Sequence, residues 1–308
     1  MKTNYISLRE RRDVGEMTSV YFAFFKQNFK PFFNIFISYN GLFILGFLLV
    51  SYLLVTGFVG AYGAPSGFGI ENDPSNYILM IGSGAIGFIV LFLLTAILNY
   101  SLAAVYMVQY VENKGEPVVK TKVWEAVKQN FGKIALFIIL MMVCYIVIMI
   151  VGIILAFIPI VGTFAYYLLI LAYTSWMGLS FMAMVHDKRE VTDAFAEGFK
   201  LLKAYFWKCV LSNLVIGMLL GLLMLVVLMV PGILIAVYAF HSLETGVELE
   251  TSAVANIVWT LGLSLVLVLY TINQAMAQFI NGVLFYSIRE EAYNEATRER
   301  IDNIGSGE

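Results

Sequence analysis

Six long apolar runs, at residues 32–59, 77–111, 134–158, 163–186, 206–240 and 255–287, decide what this chain can fold into. Each exceeds the roughly 20 residues that a helix needs to cross a bilayer core. Apart from Lys208 at the start of the fifth, none contains Asp, Glu, Lys or Arg. Backbone groups in hydrocarbon must be satisfied within their own segment, and runs that do not alternate suit helices, not barrel strands. The expectation is an all-α polytopic membrane protein: six transmembrane helices in three hairpins, each preceded by an amphipathic interfacial helix. Residues 1–31 form the N-terminal segment with its interfacial helix, 32–287 the transmembrane domain and 288–308 a charged tail. Only 13% of the 308 residues are charged, against roughly 25% in soluble domains, so the chain lacks the polar surface to face water.

The lysines and arginines then orient the spans. All 19 fall in four patches, at 1–31, 112–133, 187–208 and 288–300. The segments joining alternate spans, 60–76, 159–162 and 241–254, hold none of them and carry five acids: Glu71, Asp73, Glu244, Glu248 and Glu250. Basic residues are retained on the cytoplasmic side during insertion, which predicts cytoplasmic termini. The inner side nets +3 and the outer −5. A mildly basic inner face suits anionic lipid and is too dilute for nucleic acid.

Three further details bear on the spans. The run 77–111 would reach about 50 Å as a helix, so it must tilt, bend or project beyond a core of about 30 Å. Pro231-Gly232 is expected to kink or end the fifth helix. Pro159 to Gly162 reads as a tight hairpin turn, whereas 60–76 is Gly-rich and irregular.

A charged, aromatic stretch precedes each odd-numbered span. The first ends Phe25-Lys26-Gln27-Asn28-Phe29, the second Val127-Lys128-Gln129-Asn130-Phe131 and the third Leu202-Lys203-Ala204-Tyr205-Phe206. The second and third align without gaps at an offset of 75 residues, pairing Trp124 with Phe199, Phe131 with Phe206 and Lys133 with Lys208. The first aligns with the second at an offset of 102. Three units of amphipathic helix, span, turn and span follow. In the first copy Met17, Tyr21, Phe24 and Phe25 share one helical face, continued by Phe29, Phe32 and Phe33, with Glu16, Thr18, Ser19, Lys26 and Gln27 opposite. Such a helix is expected at headgroup depth with its lysines snorkelling. It serves either as a plain anchor for the next span or, with its two counterparts, as a collar of Phe25, Phe29, Trp124, Phe131, Phe199 and Phe206 that receives a partner.

The chain offers little to catalysis. His186 and His241 lie at opposite ends of spans, no His-Glu-x-x-His or phosphate-cradling glycine loop occurs, and no ionisable residue sits deep in a span as ion-coupled transporters require. Neither an enzyme, a cofactor nor a metal is expected. The spans do carry uncharged polarity in the even-numbered helices: Asn99, Tyr106 and Tyr110 in the second, Tyr166, Tyr173 and Ser180 in the fourth, and Thr271, Gln274, Gln278 and Asn281 in the sixth. Two accounts are open for Asn99, Tyr106, Tyr173, Gln274, Gln278 and Asn281: hydrogen bonds between helices, or a polar groove open to the cytoplasm. Gly217 and Gly221 form a GxxxG, and Ser83 with Gly87 a weaker small-residue pair, both suited to close helix approach. Glu295, Arg298 and Glu299 predict a short solvated helix continuing the sixth span.

The run Val191-Thr192-Asp193-Ala194-Phe195, followed by Gly198-Phe199-Lys200-Leu201-Leu202-Lys203 and Tyr205-Phe206-Trp207-Lys208, resembles the cytoplasmic segment of a bacterial six-span family. That family occurs alone and as the membrane domain fused to some glycerophosphoryl diester phosphodiesterases. Arg12-Asp13-Val14-Gly15-Glu16 with Phe25-Lys26-Gln27-Asn28-Phe29 is similar to its start, and Ala296 to Gly305 to stand-alone members of Bacteroidetes type. The resemblance implies a bacterial inner-membrane protein and carries no catalytic residues with it. The expected function is a non-enzymatic scaffold or accessory subunit that binds membrane lipid or a membrane-protein partner. The alternative is a lipid or small-solute transporter using the polar groove.

Overall fold

The computed structural model describes residues 5–62, 74–245, 253–298 and 301. They form eight helices and no strand: α1 (Val14–Tyr62), α2 (Pro74–Glu112), α3 (Lys120–Gln129), α4 (Phe131–Ala156), α5 (Val161–His186), α6 (Val191–Ala204), α7 (Phe206–Thr245) and α8 (Ala253–Tyr293). Six of these, all but α3 and α6, are long and apolar enough to cross a membrane. The chain is an all-α, multi-pass membrane protein. Most of the outer segments 60–76 and 241–254, and the tail beyond Arg298 except Ile301, lie outside the described residues.

Helix length follows from sequence continuity. α4 and α5, at 26 residues each, would be about 39 Å long, enough to cross a bilayer core of about 30 Å with more than a turn to spare. α1 has 49 residues, about 70 Å, and must project well beyond that core. The junction between 31 and 32 is therefore interior to one helix, which also accommodates Pro31. α7 likewise continues through Pro231 to Thr245, so the proline does not end it.

α1 starts at a reciprocal cap. The Glu16 N–H donates to Asp13 Oδ1 at 2.8 Å, and the Asp13 N–H to Glu16 Oε2 at 3.0 Å. This closes two of the donors that a helix start leaves open. The Pro159 region makes the expected tight turn: Ile160 has φ of 61° and the Gly162 N–H reaches the Ile158 carbonyl at 2.9 Å. A Cβ on Gly162 would sit 1.8 Å from the Leu155 carbonyl oxygen, so only glycine fits.

The breaks α3/α4 and α6/α7 fall in the same register. The Asn130 N–H bonds the Ala126 carbonyl and the Tyr205 N–H the Leu201 carbonyl. The Ile134 N–H then bonds Asn130, and the Cys209 N–H bonds Tyr205. All four pairs keep the 75-residue offset. The corresponding position in α1, Phe29, carries no break. The three even-numbered spans each give way to a left-handed residue: Lys114 after α2, Lys188 after α5 and Asn294 after α8. That residue corrects the expected continuation of the sixth span. Helix α8 stops at Tyr293, and the turn at 295–298 is a separate piece. Glu290 accepts the N–H groups of Ala296 and Thr297 at 2.8 and 3.3 Å, capping that piece from the preceding helix.

The described residues divide into two compact units. The first holds residues 1–35, 97–219 and 274–308; the second holds 36–96 and 220–273. Within the first, α5 is the most enclosed span: half of its most apolar window is buried, at 50%. Helix α6 folds back along it, with Trp176 Nε1 donating to the Phe195 carbonyl at 2.9 Å. A Cβ on Gly198 would lie 2.6 Å from the backbone nitrogen of Ser180, so the two helices meet backbone to backbone. Aromatic rings fill the rest. Phe24 and Phe32 of α1 meet Phe279 of α8 at centroid distances of 5.5 and 4.7 Å, and Phe24 meets Tyr110 of α2 at 5.0 Å, all edge to face. Such pairs contribute about 0.5–1.5 kcal/mol each beyond burial.

This packing corrects the picture of the first amphipathic stretch lying at headgroup depth. Met17, Tyr21 and Phe24 are wholly buried; Phe24 is covered by Tyr110 of α2 and Phe279 of α8, while Phe29 further along the same face stays exposed. Within the second unit, Thr56 and Thr260 bond to Asn256, at 3.2–3.3 Å. Gly57 of α1 and Gly84 of α2 allow close approach there, to Ile81 and Leu54 respectively. Among the described residues nothing outside α7 lies within 4 Å of a Cβ built on Gly217 or Gly221, so the GxxxG packs against none of them.

Candidate functional site

The polar residues of the even-numbered helices are nearly all buried in the first unit, and the structure sorts them into pairs. Asn99 Nδ2 donates to Gln274 Oε1 at 3.2 Å, joining α2 to α8. The Tyr106 hydroxyl donates to Asn28 Oδ1 on α1 at 2.8 Å. The Tyr173 hydroxyl donates to the Met141 carbonyl on α4 at 2.6 Å. Asn281 lies against Gly178, where an added Cβ would be 2.0–2.4 Å from its amide. Tyr173, Gly178 and Asn281 share a cavity of about 90 Å³ with Tyr100 and Phe137, well below the few hundred Å³ of a ligand site. Gln278 is fully buried, and neither end of its amide meets a hydrogen-bond partner among the described residues. The Oδ1 of Asn281 is in the same condition. An unpaired amide in an apolar interior costs roughly 1–3 kcal/mol.

The collar residues are placed differently. Phe25 meets Phe29 edge to face at 5.3 Å, and Phe29 stacks on Phe33 at 5.4 Å along α1. Lys128 sits over the half-buried ring of Trp124 at 5.6 Å. Phe199 packs on Trp176 at 5.4 Å, and Phe206 on Trp207 at the same distance. Phe29, Phe131 and Phe199 remain about half exposed, at 46, 50 and 52%.

The more organised site lies where α5 and α8 end, and of its residues the sequence reading named only His186 and Glu295, neither as part of a site. Asp187 is at its centre. His186 Nδ1 is 2.8 Å from Asp187 Oδ1, Arg289 Nη1 donates to the same oxygen at 2.5 Å, and Arg189 Nε donates to Oδ2 at 3.0 Å. Arg289 also binds Glu295 through Nε at 3.1 Å. Arg189 reaches Glu197 of α6 at 3.3 Å, and Glu197 accepts the Tyr293 hydroxyl at 2.8 Å. Burial by itself pushes the Asp187 carboxyl up. The hydrogen bonds from His186 and Arg289 and the charge of Arg289 outweigh it and hold the carboxyl well below its usual range.

The N-terminal segment straps this end of the unit. The Ile6 N–H donates to the Tyr110 hydroxyl at 3.0 Å and the Arg12 N–H to Ser287 Oγ at 3.1 Å. Leu8 is wholly buried, and Arg9 Nη2 lies 3.4 Å from His186 Nε2. An imidazole that donates to Asp187 from Nδ1 leaves its Nε2 lone pair for Arg9. Chain termini and span ends thus meet in one ionic cluster. No signal in the sequence links Arg9, Asp187 and Arg289, because more than 100 residues separate each from the next.

Beside the cluster, the ends of α2 and α5, the start of α4 and helix α3 enclose a cavity of about 300 Å³. Its polar lining includes Gln109, Asn130, Lys133, His186, Lys188 and Arg189; Val105, Ile134 and Met184 supply apolar wall. The Oε1 of Gln109 is shielded from solvent and without a partner among the described residues.

Against models of known families, curated proteins and solved structures, the chain matches nothing. Its chemistry is therefore argued from its own residues. Among those described, no group of three or more His, Cys, Asp or Glu is placed to hold a metal ion.

Proposed function

We propose that the chain is a non-enzymatic bacterial inner-membrane protein with both termini in the cytoplasm, which uses its cytoplasmic face to bind membrane lipid or a protein partner. The distribution of lysine and arginine supports the orientation. The likeness to the membrane domain of glycerophosphoryl diester phosphodiesterases supports the compartment. The observation that carries the function is the contrast within the first unit. Asn99, Gln274, Tyr106 and Tyr173 are closed into helix-to-helix pairs, whereas the basic end is built up with an ionic cluster, a strap and a cavity of ligand size. The matched breaks at Asn130 and Tyr205 support an internal duplication as the origin of the helices that frame this end.

A second proposal, a lipid or small-solute transporter, has one observation in its favour. The Gln278 amide and Asn281 Oδ1 are held in the spans without a hydrogen-bond partner among the described residues, as a transient substrate path would need. Gln274→Leu with Gln278→Leu separates the two. A binding protein should lose no ligand or partner binding, since among the described residues Gln278 has no hydrogen-bond partner and Gln274 bonds Asn99; stability should change by about 1 kcal/mol or less. Trp124→Ala with Phe199→Ala should instead weaken partner binding. The check is uptake into proteoliposomes alongside partner or lipid retention on purification. Flux in the parent that the glutamine pair abolishes, in folded protein, would make the transporter correct.

A further inference from the structure

We infer that the cavity between α2, α3, α4 and α5 is a binding site for the phosphate group of an anionic phospholipid. This deepens the proposed function, resting on its reading of the basic end as a binding surface, and gives that surface a specific ligand chemistry.

The position comes first. The cavity is walled by residues at the last turns of α2 and α5 and the first turn of α4, that is, where three spans leave the hydrocarbon. Headgroups lie at that depth whichever side of the membrane it is. Its volume of about 300 Å³ is at the lower bound of small-molecule sites and more than three times that of the 90 Å³ cavity around Tyr173 and Asn281. The apolar Val105, Ile134 and Met184 continue the wall from α2, α4 and α5, as the root of an acyl chain requires.

The charges select an anion. Lys133, Lys188 and Arg189 line the cavity, against Glu112 as the one acid. Their engagement is graded. Arg189 is committed to Asp187 and Glu197. Lys133 meets Glu190 at 2.6 Å, but that carboxylate is 68% exposed and easily resolvated. Lys188 makes no ion pair among the described residues, and its left-handed backbone, φ 56°, turns the chain sharply beneath α5. Two ammonium groups are thus free or readily freed. The start of α4 adds to them. Asn130, in the capping position, spends its Nδ2 on the Ala126 carbonyl at 2.9 Å and makes no side-chain cap. The N–H groups at the start of this 26-residue helix keep their partial positive charge next to the cavity wall. One further lining group, Gln109 Oε1, is an acceptor without a donor among the described residues. A headgroup that carries a hydroxyl beside its phosphate supplies that donor, so phosphatidylglycerol fits better than a bare phosphate.

The test uses the full-length protein in mild detergent, read by native mass spectrometry, with phosphatidylglycerol, phosphatidylcholine and inorganic phosphate titrated separately. The parent should bind phosphatidylglycerol in preference to phosphatidylcholine. Lys133→Gln with Lys188→Gln should weaken that binding about tenfold or more, given two charge-assisted contacts. Lys133→Arg with Lys188→Arg should restore it, and Lys203→Gln on the exposed face of α6 should leave it unchanged. If the double glutamine variant does not fold, Lys188→Gln alone, at an exposed position with no ion pair, should give several-fold weakening. Lysine-dependent binding of inorganic phosphate without phosphatidylglycerol would keep the phosphate chemistry and overturn the lipid source. Equal affinity for the two lipids, or no loss in the glutamine variants, would overturn the site. Such a failure leaves the broader reading standing if Trp124→Ala with Phe199→Ala still releases a co-purifying partner, so the two are told apart.

Discussion

Asp187→Ala is expected to lower stability by about 3 kcal/mol. The carboxylate and its partner Arg289 expose only 15% and 11% of their side chains, so truncation strands a guanidinium, an imidazole and Arg189 around an empty position. Glu295 keeps its hold on Arg289, which places the loss at the lower end for a broken buried pair. Unfolding in mixed micelles, with Arg289→Ala and the double variant, gives the check: the two single losses should exceed their joint effect, because they remove the same contact. A loss below about 0.5 kcal/mol would mean the cluster is merely surface charge. The same group sets an acid limit. Its folded carboxyl is depressed from an unfolded value of 3.8. Its contribution is therefore fully present above that value, declines as pH falls below it, and is gone once pH passes the folded value. The Asp187→Asn variant should lack this acid-dependent component.

Gly198→Val is expected to cost about 3 kcal/mol. Glycine in the middle of α6 sacrifices roughly 1 kcal/mol of helix propensity relative to alanine, so its presence requires a reason, and the reason is steric. An added Cβ would stand 2.0 Å from Ser180 Oγ and 2.8 Å from its Cα. The hydroxyl can rotate away, but the backbone of α5 cannot, so α6 must lift. Lifting it pulls Trp176 from the Phe195 carbonyl and Glu197 from Arg189 and Tyr293. A fall in melting temperature with shifted tryptophan emission is the expected result. Stabilisation by Gly198→Ala would contradict the close approach.

The spans were legible because hydrocarbon enforces a coarse rule on composition, and the six helices follow the six runs. The matched breaks near Phe131 and Phe206 were legible too, since the amphipathic pattern stops there in both copies. What escaped was chosen by tertiary packing. Nothing local in Met17, Tyr21 and Phe24 distinguishes a face meant for headgroups from one covered by α2 and α8. Gly217 and Gly221 carry a packing motif that meets none of the described residues, while Gly57, Gly84 and Gly198, none of them in a GxxxG, mark the close approaches. For the site, the polar residues of the even-numbered helices were legible as uncharged polar positions inside apolar runs. Whether they made one groove or separate pairs depended on partners such as Asn28 and the Met141 carbonyl, which lie on other helices. The ionic cluster was hidden because it joins three distant stretches of chain, and its central acid looks in sequence like any charge at a span end.

The proposed function places the face that carries the strap, the cluster and the cavity in the cytoplasm. Single-cysteine labelling decides the side, in a background with Cys144 and Cys209 replaced by serine. Gly115 is unsuitable as a reporter, because its φ of 82° and a Tyr5 ring atom 2.7 Å from an added Cβ resist any side chain; Glu116 is exposed and serves instead. An impermeant maleimide should label Asn72→Cys on intact spheroplasts and Glu116→Cys only after the membrane is opened. Labelling of Glu116→Cys from outside, or of both from one side, would contradict the account.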